Sequence, residues 1–154
     1  MSALASSAVR YFPFGLLIIA VDQMTKAWVM AKLMPGESIP IVRGVLHLTY
    51  VKNSGVAFGL FAGSNGLALI ITVLIAAALV LLTSRLVLTN GSFLIGAVGV
   101  LAGALGNLID RIRIGRVIDF IDFRVWPIFN FADVAIVFGA GLILYGVVIA
   151  SRRQ

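Results

Sequence analysis

Hydrophobic positions run along this chain in long blocks separated by short polar clusters. Four blocks are long enough to cross the roughly 30 Å hydrocarbon layer of a bilayer, which takes about 20 helical residues. The first runs from about Phe12 to Ala31 and carries Asp22, Gln23, Thr25 and Lys26. The second, about Leu67 to Ser84, has no charge. The third, about Phe93 to Ile109, is rich in glycine. The fourth, about Phe131 to Ala150, begins with Asp133 and ends before Ser151, Arg152 and Arg153. The pattern predicts an α-helical integral membrane protein of four transmembrane helices, a single domain over residues 1–154.

Between the first two blocks the periodicity changes. Pro35-Gly36 and Pro40 punctuate the segment, and Val45–Val51 is rich in β-branched and aromatic residues. Ile39–Val42 and Val45–Val51, separated by Arg43-Gly44, read as two short strands around a turn. A small sheet at the membrane surface, within about residues 36–60, is expected, because its edges would go unsatisfied in hydrocarbon.

Composition agrees. Apolar residues make up 61% of the 154 and charged residues 12%, against about half and about a quarter in soluble domains. So few charges cannot cover a soluble protein of this size, which sets that class aside. The net charge of +6 is read as basic groups beside anionic lipid headgroups, with no nucleic-acid partner. There is no cysteine, hence no disulfide, thiol nucleophile or Cys-type metal site, and the single histidine, His47, removes His triads and His-rich metal sites. Arg10 followed by an apolar run resembles a signal peptide, but the run continues through Asp22 and Lys26 without a small-x-small cleavage site, so a retained helix is expected.

Orientation is contested within the sequence. Four helices put both termini on one side, with Arg10, Arg85, Arg152 and Arg153. The other side takes Lys32, Arg43, Lys52, Arg111, Arg113, Arg116 and Arg124. The count alone favours termini outside.

Charges inside the helices need a reason, since each raises the insertion free energy by at least about 2.5 kcal/mol. Asp22 and Lys26 are four residues apart, acid first, the favourable order for an ion pair on one helix face. On the third helix Gly99, Gly103, Gly106 and Asp110 share a face, which lets a neighbour approach closely. Asn107 and Arg111 lie one step round. Asp133 opens the last helix, where free backbone N–H groups and the helix dipole stabilise a carboxylate. Asp119 comes fourteen residues earlier, across a connection containing Pro127, and a hairpin would set the two carboxylates side by side. Two carboxylates sharing one proton are the minimum equipment for activating water against an amide. Arg113 and Arg116 are read as interfacial charges and Asp122 as an incidental surface charge.

Four motifs in order resemble those of lipoprotein signal peptidase, the signal peptidase II family of bacterial membrane aspartic peptidases. They are Asp22-Gln-Met-Thr-Lys26, Asn53-Ser-Gly-Val-Ala-Phe-Gly59, Gly106-Asn-Leu-Ile-Asp-Arg111 with Val117-Ile-Asp119-Phe120, and Phe129-Asn-Phe-Ala-Asp133. The resemblance implies a catalytic pair of Asp119 and Asp133. It implies supporting roles for Asp22, Lys26, Asn53, Asn107, Asp110, Arg111 and Asn130. It also implies a prolipoprotein substrate with a diacylglyceryl cysteine, cleaved just before that cysteine, with no metal or cofactor. Membrane lipids are the other partner and a monomer is expected. Termini in the cytoplasm and a site at the outer face of the inner membrane are implied against the Lys/Arg count.

Three rivals use the same residues differently. A Ser/Lys peptidase would use Ser54 with Lys26 or Lys52. A lipid phosphotransferase would hold Mg²⁺ on the Asp cluster and phosphate on the arginines. A transporter or scaffold would use Asp22–Lys26 as a buried relay.

Overall fold

The computed structural model describes residues 3–54, 70, 73, 74, 77 and 91–151. In order these form α1 (Ala3–Lys32), β1 (Ser38–Val42), β2 (Leu46–Asn53), α2 (Gly91–Ile114), β3 (Val117–Asp122) and α3 (Phe131–Ser151). Among the described residues three helical stretches are long and apolar enough to cross a membrane: Arg10–Lys32, Gly91–Ile114 and Phe131–Ile149. Phe12, Leu16, Leu17, Met24 and Trp28 of α1, and Val137, Phe138, Leu144 and Tyr145 of α3, point outward and are exposed. Such apolar exteriors suit lipid. The expected second helix, 67–84, lies outside the described residues apart from Ile70, Val73, Leu74 and Ala77, which are helical.

α1 and α2 run parallel, with Gly15 against Val98 and Ala102 and, further along, Gly106 against Asp22. α2 and α3 run antiparallel along the glycine face. Gly96 lies against Gly139 and Ile143, Gly99 against Ala135, and Gly103 against Ala132 and Ile136. A Cβ built on Gly96 would stand 2.9 Å from the Ile143 backbone nitrogen, so only glycine lets these backbones meet so closely. The expected small-residue face is therefore the α2–α3 contact, and its end meets α1.

The helices hold a three-stranded antiparallel sheet at one end, in the order β1-β2-β3. β1 (Ser38–Val42) and β2 (Leu46–Asn53) fall within two residues of the expected strands. The third strand was not anticipated. Gly115, with φ 75°, ends α2 in the left-handed conformation and donates its N–H to the Arg111 carbonyl, turning the chain into β3. β3 then pairs with β2 in the register Val51↔Asp119, Lys52↔Ile118 and Asn53↔Val117. Ile118, Phe120 and Tyr50 pack on Val29 and Leu33 at the end of α1, forming a small core beneath the sheet. Beyond β3 the chain turns back, so that Phe129 bridges Ile121 and α3 begins two residues later.

Candidate active site

Five elements converge where the sheet meets the helix ends. α1 brings Asp22, Gln23 and Lys26; α2 brings Asn107, Asp110 and Arg111; β2 brings Asn53; β3 brings Asp119; and α3 brings Asp133, with Asn130 just before it. Among the described residues no buried side-chain nitrogen or oxygen lacks a partner. That completeness matters, because an unmatched polar group here would cost a few kcal/mol.

The start of α3 is capped twice. Asn130 Oδ1 accepts the Asp133 N–H at 3.0 Å, and Asp133 Oδ2 accepts the Asn130 N–H at 3.2 Å, a reciprocal capping box. The next free donor, Ala132 N–H, goes to Asp22 Oδ1 of α1 at 3.0 Å. Asp22 is thus a cap supplied from another helix as well as an ion-pair partner.

Lys26 is 1% exposed and sits between two carboxylates, 2.9 Å from Asp22 Oδ2 and 2.8 Å from Asp110 Oδ2. The spacing-based pairing with Asp22 is therefore half of its environment. Its third bond is to Asn107 Oδ1 at 3.0 Å. Asp110 also accepts the Ile118 N–H at 3.2 Å, tying the end of α2 to β3.

Asp119 is 2% exposed, with each carboxylate oxygen facing an amide. Asn130 Nδ2 donates to Oδ1 at 2.6 Å and Asn53 Nδ2 to Oδ2 at 2.8 Å. Asn53 reaches it because Asn53 lies opposite Val117, which puts it diagonal to Asp119 on the same face of the sheet. Asp133 Oδ1 accepts from Asn107 Nδ2 at 2.8 Å. Burial lifts the Asp119 carboxyl to about 6, opposed by its hydrogen bond from Asn53 and reinforced by the charge of Asp133. Arg111 lies within electrostatic reach of Asp133, Asp119 and Asp110, and its Nη1 is 3.5 Å from the Asn107 carbonyl.

The structure brings together Asp22, Lys26, Asn53, Asn107, Asp110, Arg111, Asn130, Asp119 and Asp133, the nine residues named for the site from the sequence. Gln23 is a member that the sequence reading passed over. Its Nε2 donates to Asp22 Oδ2, to the Gly106 carbonyl and to Asp110 Oδ1 at 3.0–3.1 Å. Its place beside Asp22 in the first motif was the available signal. Arg113 and Arg116 are exposed, as interfacial charges should be.

Asp122 corrects the reading as a surface charge. It is 4% exposed and accepts the Thr49 hydroxyl at 2.8 Å and the Arg124 N–H at 2.8 Å. The cause is the unanticipated third strand. In alternating β geometry Asp122 shares a face with Ile118 and Phe120, so it turns inward with them.

Comparison with known proteins converges on one family. The profile described as Signal peptidase (SPase) II matches residues 14–149. The lipoprotein signal peptidase of Halothermothrix orenii is 47% identical over 131 residues, covering 84% of this chain and 88% of that protein. That of Syntrophomonas wolfei is 44% identical over 147 residues, covering 95% and 97%. A bacterial membrane enzyme solved by the in meso method superposes with a TM-score of 0.83 at 31% identity, over 91% of this chain and 88% of that one. A second such structure gives 0.77 at 33% identity, over 86% and 88%. With membrane-length helices and homologues of this kind across most of its length, the chain belongs to the signal peptidase II family of bacterial membrane peptidases.

Proposed function

We propose that this protein is an aspartic endopeptidase that removes the signal peptide from prolipoproteins whose cysteine already carries diacylglycerol, cutting just before that cysteine. The relatives are named lipoprotein signal peptidase, which supplies the substrate class. What supports a catalytic pair is that one hydrogen-bonded network joins Asp119 and Asp133. They come from different elements, and Asn130 and Asn107 couple them through hydrogen bonds.

With one proton between them, the ionised carboxylate takes a proton from water as that water attacks the scissile carbonyl. The protonated partner donates to the carbonyl oxygen, and a proton then passes to the departing amine. The two titrate as a unit, so acid and base are not divided between them. Asn53, Asn130 and Arg111 are the groups placed to hydrogen-bond the carboxylates or the developing oxyanion. Asp22, Lys26, Asn107 and Asp110 hold these groups in place.

The mechanism calls for no metal or cofactor and no nucleic acid. Each carboxylate of the cluster already faces N–H donors, an arrangement that serves carboxylates and not metal coordination. The protein works as a monomer in the bacterial inner membrane with its termini in the cytoplasm. Its site lies near the outer face.

The test is cleavage of a diacylglyceryl prolipoprotein by purified protein. Asp119→Asn and Asp133→Asn are each expected to lower turnover at least about a hundredfold, with the fold retained. Appreciable turnover by either variant sinks the pair. EDTA is expected to leave the rate unchanged, and loss of activity on chelation would favour the phosphotransferase reading.

A further inference from the structure

We infer that Lys26 is a positioning residue of the peptidase reaction, acting through Asn107: it fixes which end of the Asn107 amide faces Asp133. In doing so it sets how many protons the carboxylate pair holds at a given pH. The inference rests on the reading of Asp119 and Asp133 as the reacting pair.

An ammonium has three protons to donate and accepts nothing. Those of Lys26 are committed to Asp22 Oδ2 at 2.9 Å, Asp110 Oδ2 at 2.8 Å and Asn107 Oδ1 at 3.0 Å. None remains for Asp119 or Asp133, so any hydrogen-bonded influence on them passes through Asn107. Because Lys26 can only donate, the Asn107 atom that it meets must be the carbonyl oxygen. The amide nitrogen is thereby turned to Asp133 Oδ1 at 2.8 Å.

Asn130 is fixed by the same logic. The Asp133 backbone N–H donates to Asn130 Oδ1 at 3.0 Å. Asn130 Nδ2 must then face acceptors, which are Asp119 Oδ1 at 2.6 Å, Asn107 Oδ1 at 3.1 Å and the Ile118 carbonyl at 3.3 Å. The bonds close a ring: Asp133 N–H to Asn130, Asn130 to Asn107, and Asn107 back to the Asp133 carboxylate. Within it both amides aim N–H groups at the pair, and neither can turn over without setting oxygen against oxygen. Donors aimed at carboxylates favour their ionised form, so the ring holds the pair's proton count down. The charged groups that face this ring are Asp22 and Lys26 from α1, Asp110 and Arg111 from α2, Asp119 from β3 and Asp133 from α3.

Asn107→Asp is the deciding variant. It is isosteric, and it keeps an oxygen for Lys26 and Asn130 while replacing the N–H aimed at Asp133 with a second oxygen. A like charge beside the pair makes it hold its proton to higher pH. The pH–kcat profile on a prolipoprotein substrate is therefore expected to move up by about one unit or more, with KM and thermal unfolding near those of the parent. The bracing bonds to Lys26 and Asn130 survive in this variant, so a shift at parental thermal unfolding reads the exchange of a donor for a like charge beside Asp133 and not a loosened structure.

A second variant tests Lys26 itself. Lys26→Met combined with Asp110→Asn removes one charge of each sign and takes away the Lys26 donor to the Asn107 carbonyl. Asn130 alone then holds the Asn107 carbonyl, at 3.1 Å, so its N–H is less firmly aimed at Asp133; the variant is expected to fold and to lose about tenfold or more in kcat. An unshifted profile in the first variant, or parental kcat in the second, overturns the inference. Asp119→Asn in the same assay separates the two readings. Turnover there condemns the pair itself, whereas a dead Asp119→Asn beside an unshifted Asn107→Asp condemns only the Lys26–Asn107 step.

Discussion

At the scale of single residues, the site is governed by how each carboxylate is solvated by protein in place of water. Asp119 keeps its proton to about 6 because burial disfavours the charge and Asp133 adds a like charge nearby. On the proposed reading the carboxylate pair works with one proton and loses competence when that proton leaves. The alkaline limb of kcat/KM, which reports the free enzyme, is therefore expected to set in near 6 and fall about tenfold per pH unit beyond. A flat profile from 5 to about 9 would contradict a carboxylate pair. Asp122 behaves oppositely. Burial would raise it, but hydrogen bonds from Thr49 and from the Arg124 backbone and guanidinium, with the Arg124 charge, hold it below the usual carboxylate range. A depressed folded value contributes stability that is present above the unfolded value of about 3.9 and is lost as pH falls through the folded one. Ser38, on β1, meets both His47 Nδ1 at 3.2 Å and Thr49 at 2.8 Å, so this polar chain crosses all three strands to Asp122. Thr49→Val leaves Asp122 without its buried donor and is expected to destabilise the sheet by about 1–3 kcal/mol. Faster hydrogen exchange in β1 and β2, with the helices unaffected, is the measurement that checks it.

At the scale of elements, the α2–α3 contact is built on absent side chains. A Cβ on Gly103 would overlap the Ala132 carbonyl and stand 2.9 Å from Ile136 Cγ1, whereas one on Gly141 would meet nothing within 4 Å. Gly103→Ala is expected to lower stability in detergent by about 1–3 kcal/mol through overpacking. It also displaces the α3 start that carries Asp133, so activity falls with it. Gly141→Ala is expected to be neutral or slightly stabilising, because alanine favours helix and the space is open. Equal effects at the two positions, read as unfolding midpoints, would refute close packing as the role of the glycine face. That face was legible in the sequence because glycines at helical spacing let a neighbouring helix approach closely. The strand β3 was less so. Val117–Asp122 alternates β-branched, aromatic and acidic residues, but both of its faces are buried, so no polar face marks it as a strand. Its acids looked like a charge cluster following a helix. The same oversight hid the burial of Asp122, while Asp119 was found through its motif and its separation from Asp133. Asp110 as a partner of Lys26 was out of reach, since it depends on how α1 and α2 pack.

At the scale of the molecule, polar chemistry gathers at one end of the helices. α1 and α2 both finish there and α3 begins there, so the first residues of α1 and the last of α3 share the opposite end. Lys32, Arg43, Lys52, Arg111, Arg113, Arg116 and Arg124 all belong to the site end, in helix ends, sheet and connecting turns. A count of basic residues would put that end in the cytoplasm. The rule describes loops whose charges are free to decide insertion. Arg111 faces three carboxylates and Arg124 pairs with Asp122 at 3.3 Å, so at least these two are held by the structure they serve. The site end is therefore expected outside despite its charge. The chain has no cysteine, which makes the test clean. Arg43→Cys places a lone thiol at the exposed β1–β2 turn, and Arg10→Cys places one at the exposed start of the first apolar span. In intact cells whose inner membrane is accessible, a membrane-impermeant maleimide is expected to label the first without permeabilisation and the second only after it. The reverse pattern would show that the basic residues do set the orientation. The proposed function would then fail on topology, because the proposed site would face the cytoplasm, away from an exported prolipoprotein.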